Sequence, residues 1–342
     1  MLCLTSDDRS ASLIDTGSGK RLRHLKFLHA HYISSCTFCP VALTLPGMNT
    51  TSQLLLLTSY DGSASLLDAE TGVRVRLFKG MHTDWINDGC FSPDGLSICL
   101  ASKDGTLSIV ATLTGERRLH LESLHAGAIL KCCFSPNGDH VCLASDDGTA
   151  MLVSPSSGMM VLHLPNLRTG SINSCCFSPD GKTLCLGWFD GTVVLVDTAT
   201  GLCERTVKRM HTMMVRGCCY SGDGSTICLV SKDKTVSLLD SQTGLRRHIL
   251  RGLHDDFIMN CCSSADGTRL CLVSNDRSAS LVLLRSGIRA QFASKLRAVL
   301  NPDSGSVHVK RYPHLRCAVV GQEISPEMYE AVLRVRVRPP RP

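Results

Sequence analysis

Histidine and aspartate recur in this chain at a fixed interval: His82 and Asp104, His125 and Asp147, His211 and Asp233, and His254 and Asp276 each stand 22 residues apart. A carboxylate that orients an imidazole can serve general acid–base chemistry. Such chemistry needs one convergent site, however, and pairs spread over separate repeats cannot meet at one substrate. The sequence contains neither a G-x-S-x-G nucleophile elbow nor a G-x-x-x-x-G-K-[ST] phosphate loop. The chain therefore reads as noncatalytic and the pairs as structural, with no cofactor expected.

Cysteine is the other chemically capable residue, with 19 copies. Cys132, Cys175, Cys218 and Cys261 form one column of the repeat; Cys90, Cys133, Cys176, Cys219 and Cys262 form a second; Cys99, Cys142, Cys185, Cys228 and Cys271 form a third. Periodic free cysteines behave as small buried hydrophobes, so packing is expected. The stretch from His29 and His31 to Cys36 and Cys39 brings zinc-ligand types close in sequence. A strand sends alternate residues to opposite faces, and a closed site needs four convergent ligands; no metal site is expected there. The odd cysteine count, together with a start, MLCLTSDDRS, that lacks a signal-peptide core, points to a reducing, intracellular and most simply cytoplasmic setting. No run approaches the roughly 18 apolar residues of a membrane span. The net charge of +6 is too modest to specify nucleic acid as the partner.

These residues must be positioned by short strands. The stretch Ser171–Gly201 holds two turn signatures, Ser178-Pro179-Asp180-Gly181 and Phe189-Asp190-Gly191-Thr192, between runs rich in Val, Leu, Cys and Thr. The turn aspartates Asp61, Asp104, Asp147, Asp190, Asp233 and Asp276 are 43 residues apart, and Asp8 lies 53 before Asp61. The extra ten fall around Leu45 to Gln53, where a longer surface loop is expected. Each repeat contains four strand-like runs. A four-stranded sheet cannot bury both faces alone, so seven of them should stack around an axis.

The order His, FSPDG, S-x-D-G-T, aliphatic pair and Asp resembles the WD40 repeat over roughly residues 1–295. The resemblance implies an all-β, seven-bladed WD40-type β-propeller. It further implies a hydrogen-bonded network of a His before the first strand, a Ser or Thr ending the second, the turn Asp and a Trp in the third. The matching positions are His29, Ser59 and Asp61; His82, Ser102 and Asp104; His125, Ser145 and Asp147; His211, Ser231 and Asp233; and His254, Ser274 and Asp276. The Trp position instead holds Ile14, Leu67, Val110, Val153, Val196, Leu239 and Val282, so no indole donates there. In the fifth repeat Arg168 replaces His and Trp188 replaces Ser, leaving Asp190. An Arg168–Asp190 ion pair would substitute, and with Trp188 and Phe189 beside it this blade reads as having exchanged rigidity for recognition.

At the ends, Leu2–Ser6 corresponds to a second strand, so blade one lacks its first. Residues 296–301 are the expected closing strand, giving a propeller over 1–301 and a short C-terminal extension over 302–342. In the extension SPEMYEAVLR reads as a short helix capped by Ser325, with a basic, proline-rich tail beyond. A chain that begins mid-blade is also what a fragment or variant of a longer protein would look like.

Basic residues gather in the fourth strands, among them Arg21, Arg23, Arg74, Arg76, Arg117, Arg118, Arg205, Arg246 and Arg247. Charged outer edges block strand addition; a cationic rim for RNA is the alternative use. The resemblance also implies three positions per blade that reach the top face, and these vary from repeat to repeat. Tyr32, Tyr60, Trp85, Lys103, Leu130, Phe189, Met214, Arg216, Lys232, Phe257 and Met259 stand there. Trp85, Tyr32 and Tyr60 are expected to form one patch, and Phe257, Met259, Met214 and Arg216 another. Large, partly aromatic residues at such places suit capture of a protein or peptide by a scaffold or adaptor.

Overall fold

Alternating apolar residues and tight turns produce 30 short strands in the computed structural model, and no helix among the described residues. The structure describes residues 1–16, 18–46, 50–164, 170–264, 266–283, 296–298 and 315–319. Seven four-stranded antiparallel sheets form the blades of a β-propeller. Blade three is representative: Ile86–Phe91, Ser97–Ser102, Leu107–Ala111 and Arg117–Leu121 pair in chain order. Equivalent first strands contact one another from blade to blade and make the innermost ring. The second and third strands are almost wholly buried, whereas the fourth are exposed or half-buried.

The third-strand residues that stand where the family places Trp are buried aliphatics, such as Leu67, Val110, Val153, Val196 and Leu239. They fill the space between blades with methyl groups instead of an indole. The turn after each second strand needs a left-handed residue. Gly191 supplies it in blade five at φ 80°, and a Cβ there would lie 2.2 Å from the carbonyl oxygen of His211.

Ring closure differs from the expectation drawn from residues 296–301. Leu296–Ala298 pairs with Ala279–Leu283 and becomes the fourth strand of blade seven. The closing strand is Leu315–Val319, antiparallel to Leu2–Ser6, with Leu4 opposite Cys317. The last repeat needed an outer strand of its own before the chain could return, and strand-like composition does not distinguish an outer from an inner strand. The helix expected at 325–334 lies outside the described residues. The inserted segment of blade two is more ordered than a loop, since Leu43–Thr44 pairs with Thr51–Ser52 as a two-stranded ribbon.

The outer arginines have specific work. Arg74, Arg117 and Arg246 donate to the carbonyl oxygens of Leu28, Met81 and Met210, at 2.6, 3.1 and 2.9 Å, in the loop that enters their own blade. Arg23 and Arg76 reach forward to the carbonyls of Glu70 and Leu113 in the next blade. Guanidinium forks thus staple blade to blade, besides protecting the edge.

Candidate functional site

The exposed face is built by loops that the buried network holds. Each network histidine lies just before a first strand with a fully buried side chain. In blade three, His82 Nδ1 is 2.7 Å from Thr106 Oγ1, and that hydroxyl donates to Asp104 at 2.6 Å. The other Asp104 oxygen accepts the Thr83 N–H at 2.8 Å. The same relay runs through Ser63, Thr149, Thr235 and Ser278. His211 also approaches Asp233 directly, at 3.0 Å.

The hydroxyl that meets histidine is therefore two residues after the aspartate, and sequence reasoning missed it. The serine that ends the second strand has another task. Ser102 Oγ accepts the Asp104 N–H and donates to the carbonyl of Trp85 at 3.0 Å. Ser59, Ser231 and Ser274 do the same to His31, Met213 and Asp256, while Ser145 accepts the Asp147 N–H. Both hydroxyls lie two residues from the aspartate, one on each side, and only the turn geometry tells them apart. Thr106→Val is thus expected to cost about 1–3 kcal/mol by orphaning the His82 ring and weakening the Asp104 anchor. Urea unfolding measures it, and a change below about 0.5 kcal/mol would remove the relay from the account.

The network sets protonation. Burial alone would raise the carboxyls of Asp61, Asp104, Asp147, Asp233 and Asp276. Hydrogen bonds from the turn hydroxyls, the following loop N–H and, at Asp61, Asp233 and Asp276, the histidine outweigh burial and hold all five below the usual carboxylate range. Burial pushes His82 down to about 4, against the pull of Asp104, and lowers His125 as well. These five pairs sit in five blades, and each is spent on holding its own loop.

On this frame Tyr60 and Trp85 stack with centroids 4.4 Å apart and planes 15° apart. Tyr32 lies 6.4 Å from Tyr60, so the first expected patch is assembled. His31 joins it, 4.5 Å from Tyr32 and 6.2 Å from Trp85. The sequence offers His31 only as a metal-ligand type. Its place directly before Tyr32, one of the expected face positions, was the available signal. His29 itself is engaged by Ser63 and Asp61, and Cys39 lies in the core with Leu45 and Leu54, so that stretch does not converge. Lys103 Nζ stands 4.0 Å over the Trp85 ring and 3.4 Å from the Asp84 carboxylate. Trp85 remains 38% exposed.

The second expected patch forms only in part. Met214 and Met259 are buried, and Met259 packs in the core beside Leu2, Leu4 and Cys271 with Phe257 against it. Arg216 Nη1 points at the Met214 sulfur at 3.7 Å. Phe257 is half-buried, with Lys232 Nζ 5.7 Å from its ring. Burial first, and then the Arg216 charge, lower the Lys232 ammonium. Leu130 is half-buried, and Phe189 is 56% exposed.

Blade five corrects the expected recognition role of Trp188. The indole is 0% exposed, opposite Ile172, in a cluster with Leu152, Leu164, Leu186 and Val194 between blades four and five. Trp188 is a packing substitution for the missing hydroxyl. Arg168 lies outside the described residues, and with it the proposed ion pair.

The doubled cysteines of the first strands also converge. Cys90, Cys99 and Cys132 form one thiol triad; Cys133, Cys142 and Cys175 a second; and Cys176, Cys185 and Cys218 a third. Thiol hydrogen bonds from the other two members draw one thiol of each triad down, Cys90 and Cys142 to about 6 and Cys218 well below its ordinary value, while their partners are raised.

Comparison with known proteins agrees with this architecture. The model of the anaphase-promoting complex subunit 4 WD40 domain matches residues 133–213, and that of the WD domain, G-beta repeat matches residues 72–110. Over 95 residues the chain is 33% identical to nuclear distribution protein PAC1 of Arthroderma otae, and equally to the PAC1 proteins of Arthroderma benhamiae and Trichophyton verrucosum. That stretch is 28% of this chain and 20% of each relative, so the match spans about a fifth of the length of these curated proteins. Seven four-stranded blades, a His–hydroxyl–Asp relay in five of them and two matching family models together support a WD40-repeat family protein.

Proposed function

We propose that this protein is a noncatalytic scaffold or adaptor that captures a protein or peptide on the face carrying Tyr32, Tyr60, Trp85 and His31, within a reducing intracellular compartment. WD40 propellers generally serve as protein-interaction scaffolds. The observation that carries the reading is the stacked Tyr60–Trp85 pair. Two neighbouring blades supply it, backbone bonds from Lys103 to Trp85 and from Tyr60 to Tyr32 hold it in place, and Trp85 stays in contact with solvent. Rigid aromatics lose little entropy on binding and commonly anchor interfaces. Lys103, over the Trp85 ring and paired with Asp84, holds the indole in place and leaves the aromatic surface to an apolar side chain of the ligand.

The nucleic-acid alternative loses support from the outer strands, where arginines that would make a cationic rim donate instead to backbone carbonyls of adjoining loops. The odd cysteine count supports the reducing compartment. Among the described residues no helix is long and apolar enough to cross a membrane.

Affinity capture with the intact chain, compared with a Trp85→Ala, Tyr60→Ala variant, tests the site. The expected result is at least a tenfold loss of captured partner with an unchanged melting temperature, since truncating a central aromatic anchor costs about 2 kcal/mol or more. Capture that survives both substitutions would reject this face. A parallel titration with single-stranded RNA is expected to show no retention at physiological salt. Retention that falls steeply with salt would favour the alternative.

A further inference from the structure

The thiol triads follow from strand geometry. In Cys132-Cys133, Cys175-Cys176 and Cys218-Cys219 the two side chains point to opposite faces of a first strand. The first meets the preceding blade; the second meets the cysteine directly across its own sheet, as in Cys133 opposite Cys142 and Cys176 opposite Cys185. Each triad therefore takes two sulfurs from one blade and one from the next. All sulfurs of a triad lie within 4.8 Å of one another, with Cys90 to Cys132 at 3.7 Å and Cys133 to Cys175 at 3.6 Å.

We propose that these triads are binding sites for a soft, three-coordinate cation of the Cu(I) type, which would tie blades three, four, five and six together. Three sulfurs about 2.3 Å from a central ion stand about 4 Å apart, matching the observed clusters. Thiolate ligands select soft ions. Zinc is disfavoured because a structural zinc site closes with four ligands, and each of these groups holds three. Asp88 stands beside the first triad, but its carboxylate is engaged by the Cys132 N–H at 3.3 Å and by Lys131 at 3.4 Å; Cys99 and Cys132 otherwise pack with Ala101, Ile109, Leu143 and Val153. A way in exists, because Cys90, Cys133, Cys175 and Cys176 are only partly buried, on innermost strands. Binding forms copper–sulfur bonds, releases thiol protons to solvent and changes no oxidation state. Cys219, opposite Cys228 and 3.6 Å from Cys261, has the same strand placement without the mutual approach of all three sulfurs.

The test is an anaerobic titration of the reduced full chain with Cu(I) against the chromogenic chelator bathocuproine disulfonate. Three equivalents are expected to bind, with a near-ultraviolet thiolate-to-copper band and a raised melting temperature. Cys99→Ala, Cys142→Ala and Cys185→Ala should each remove one equivalent, whereas Cys203→Ser, at an exposed cysteine, should remove none. Stoichiometry that is unchanged by all three alanine variants, or no binding in competition with the chelator, would overturn the proposal. X-ray absorption on the wild-type copper form keeps the question open to refutation if a variant fails to fold. Three sulfur neighbours at about 2.3 Å support the site, and two overturn it.

Discussion

Trp188→Ala is expected to cost about 3–5 kcal/mol, the range for deleting a large buried aromatic, whereas Trp188→Phe should stay within about 1.5 kcal/mol of the parent. The indole is fully buried and joins the core between blades four and five, so alanine leaves a cavity that strands paired on both sides cannot close. Phenylalanine keeps most of the contact and discards a liability, because Trp188 Nε1 has no hydrogen-bond partner among the described residues. A buried donor left without a partner costs about 1–3 kcal/mol, which offsets part of the lost volume. For a domain whose whole stability lies near 5–15 kcal/mol, the alanine variant should melt many degrees lower. Equal losses for alanine and phenylalanine in urea unfolding would mean that the side chain's volume is not what the site needs.

Acid should unfold this propeller in two stages. His82 is held neutral down to about 4 by burial. A group whose folded pKa lies below its unfolded value of 6.5 gives stability that is present above 6.5 and lost as pH falls toward 4. At about 1.36 kcal/mol per pH unit of separation, this histidine alone accounts for about 3 kcal/mol. His125 is lowered too and acts in the same direction. The network aspartates come next. Burial opposes their charge, yet hydrogen bonds hold them below the ordinary 3.8. Their contribution is present above that value and is lost as pH falls further below it. Calorimetry should show a melting temperature that declines gently from pH 6.5 to 4 and steeply beneath, and a flat profile down to pH 3 would contradict the network's role.

The blade count was legible because each turn aspartate needs the same left-handed turn after it, and that requirement repeats through the sequence as D-G-T or a close relative. Even the ten-residue insertion could be placed, since Asp8 and Asp61 are out of step by that amount. What could not be read depends on direction in space. Ser102 and Thr106 flank Asp104 symmetrically in sequence, yet one reaches the Trp85 carbonyl and the other the His82 ring. Met214 and Trp85 occupy equivalent positions, but Met214 turns into its loop while Trp85 finds Tyr60 to stack upon. The third cysteine column, Cys99, Cys142, Cys185, Cys228 and Cys271, is buried as its periodicity implied, while members of the other two are only partly buried. The columns' convergence in threes across blade boundaries required knowing how far each blade is rotated against the next.

The pairing of Leu2–Ser6 with Leu315–Val319 also imposes an order in time. Leu2–Ser6 must hold an open edge until Leu315–Val319 has been made. With synthesis at roughly 5–20 residues per second, that wait is on the order of 15–60 seconds. An unpaired edge built of Leu2, Cys3 and Leu4 is a template for any passing strand during that interval. The nascent chain would then need a chaperone more than the ring-closed one does.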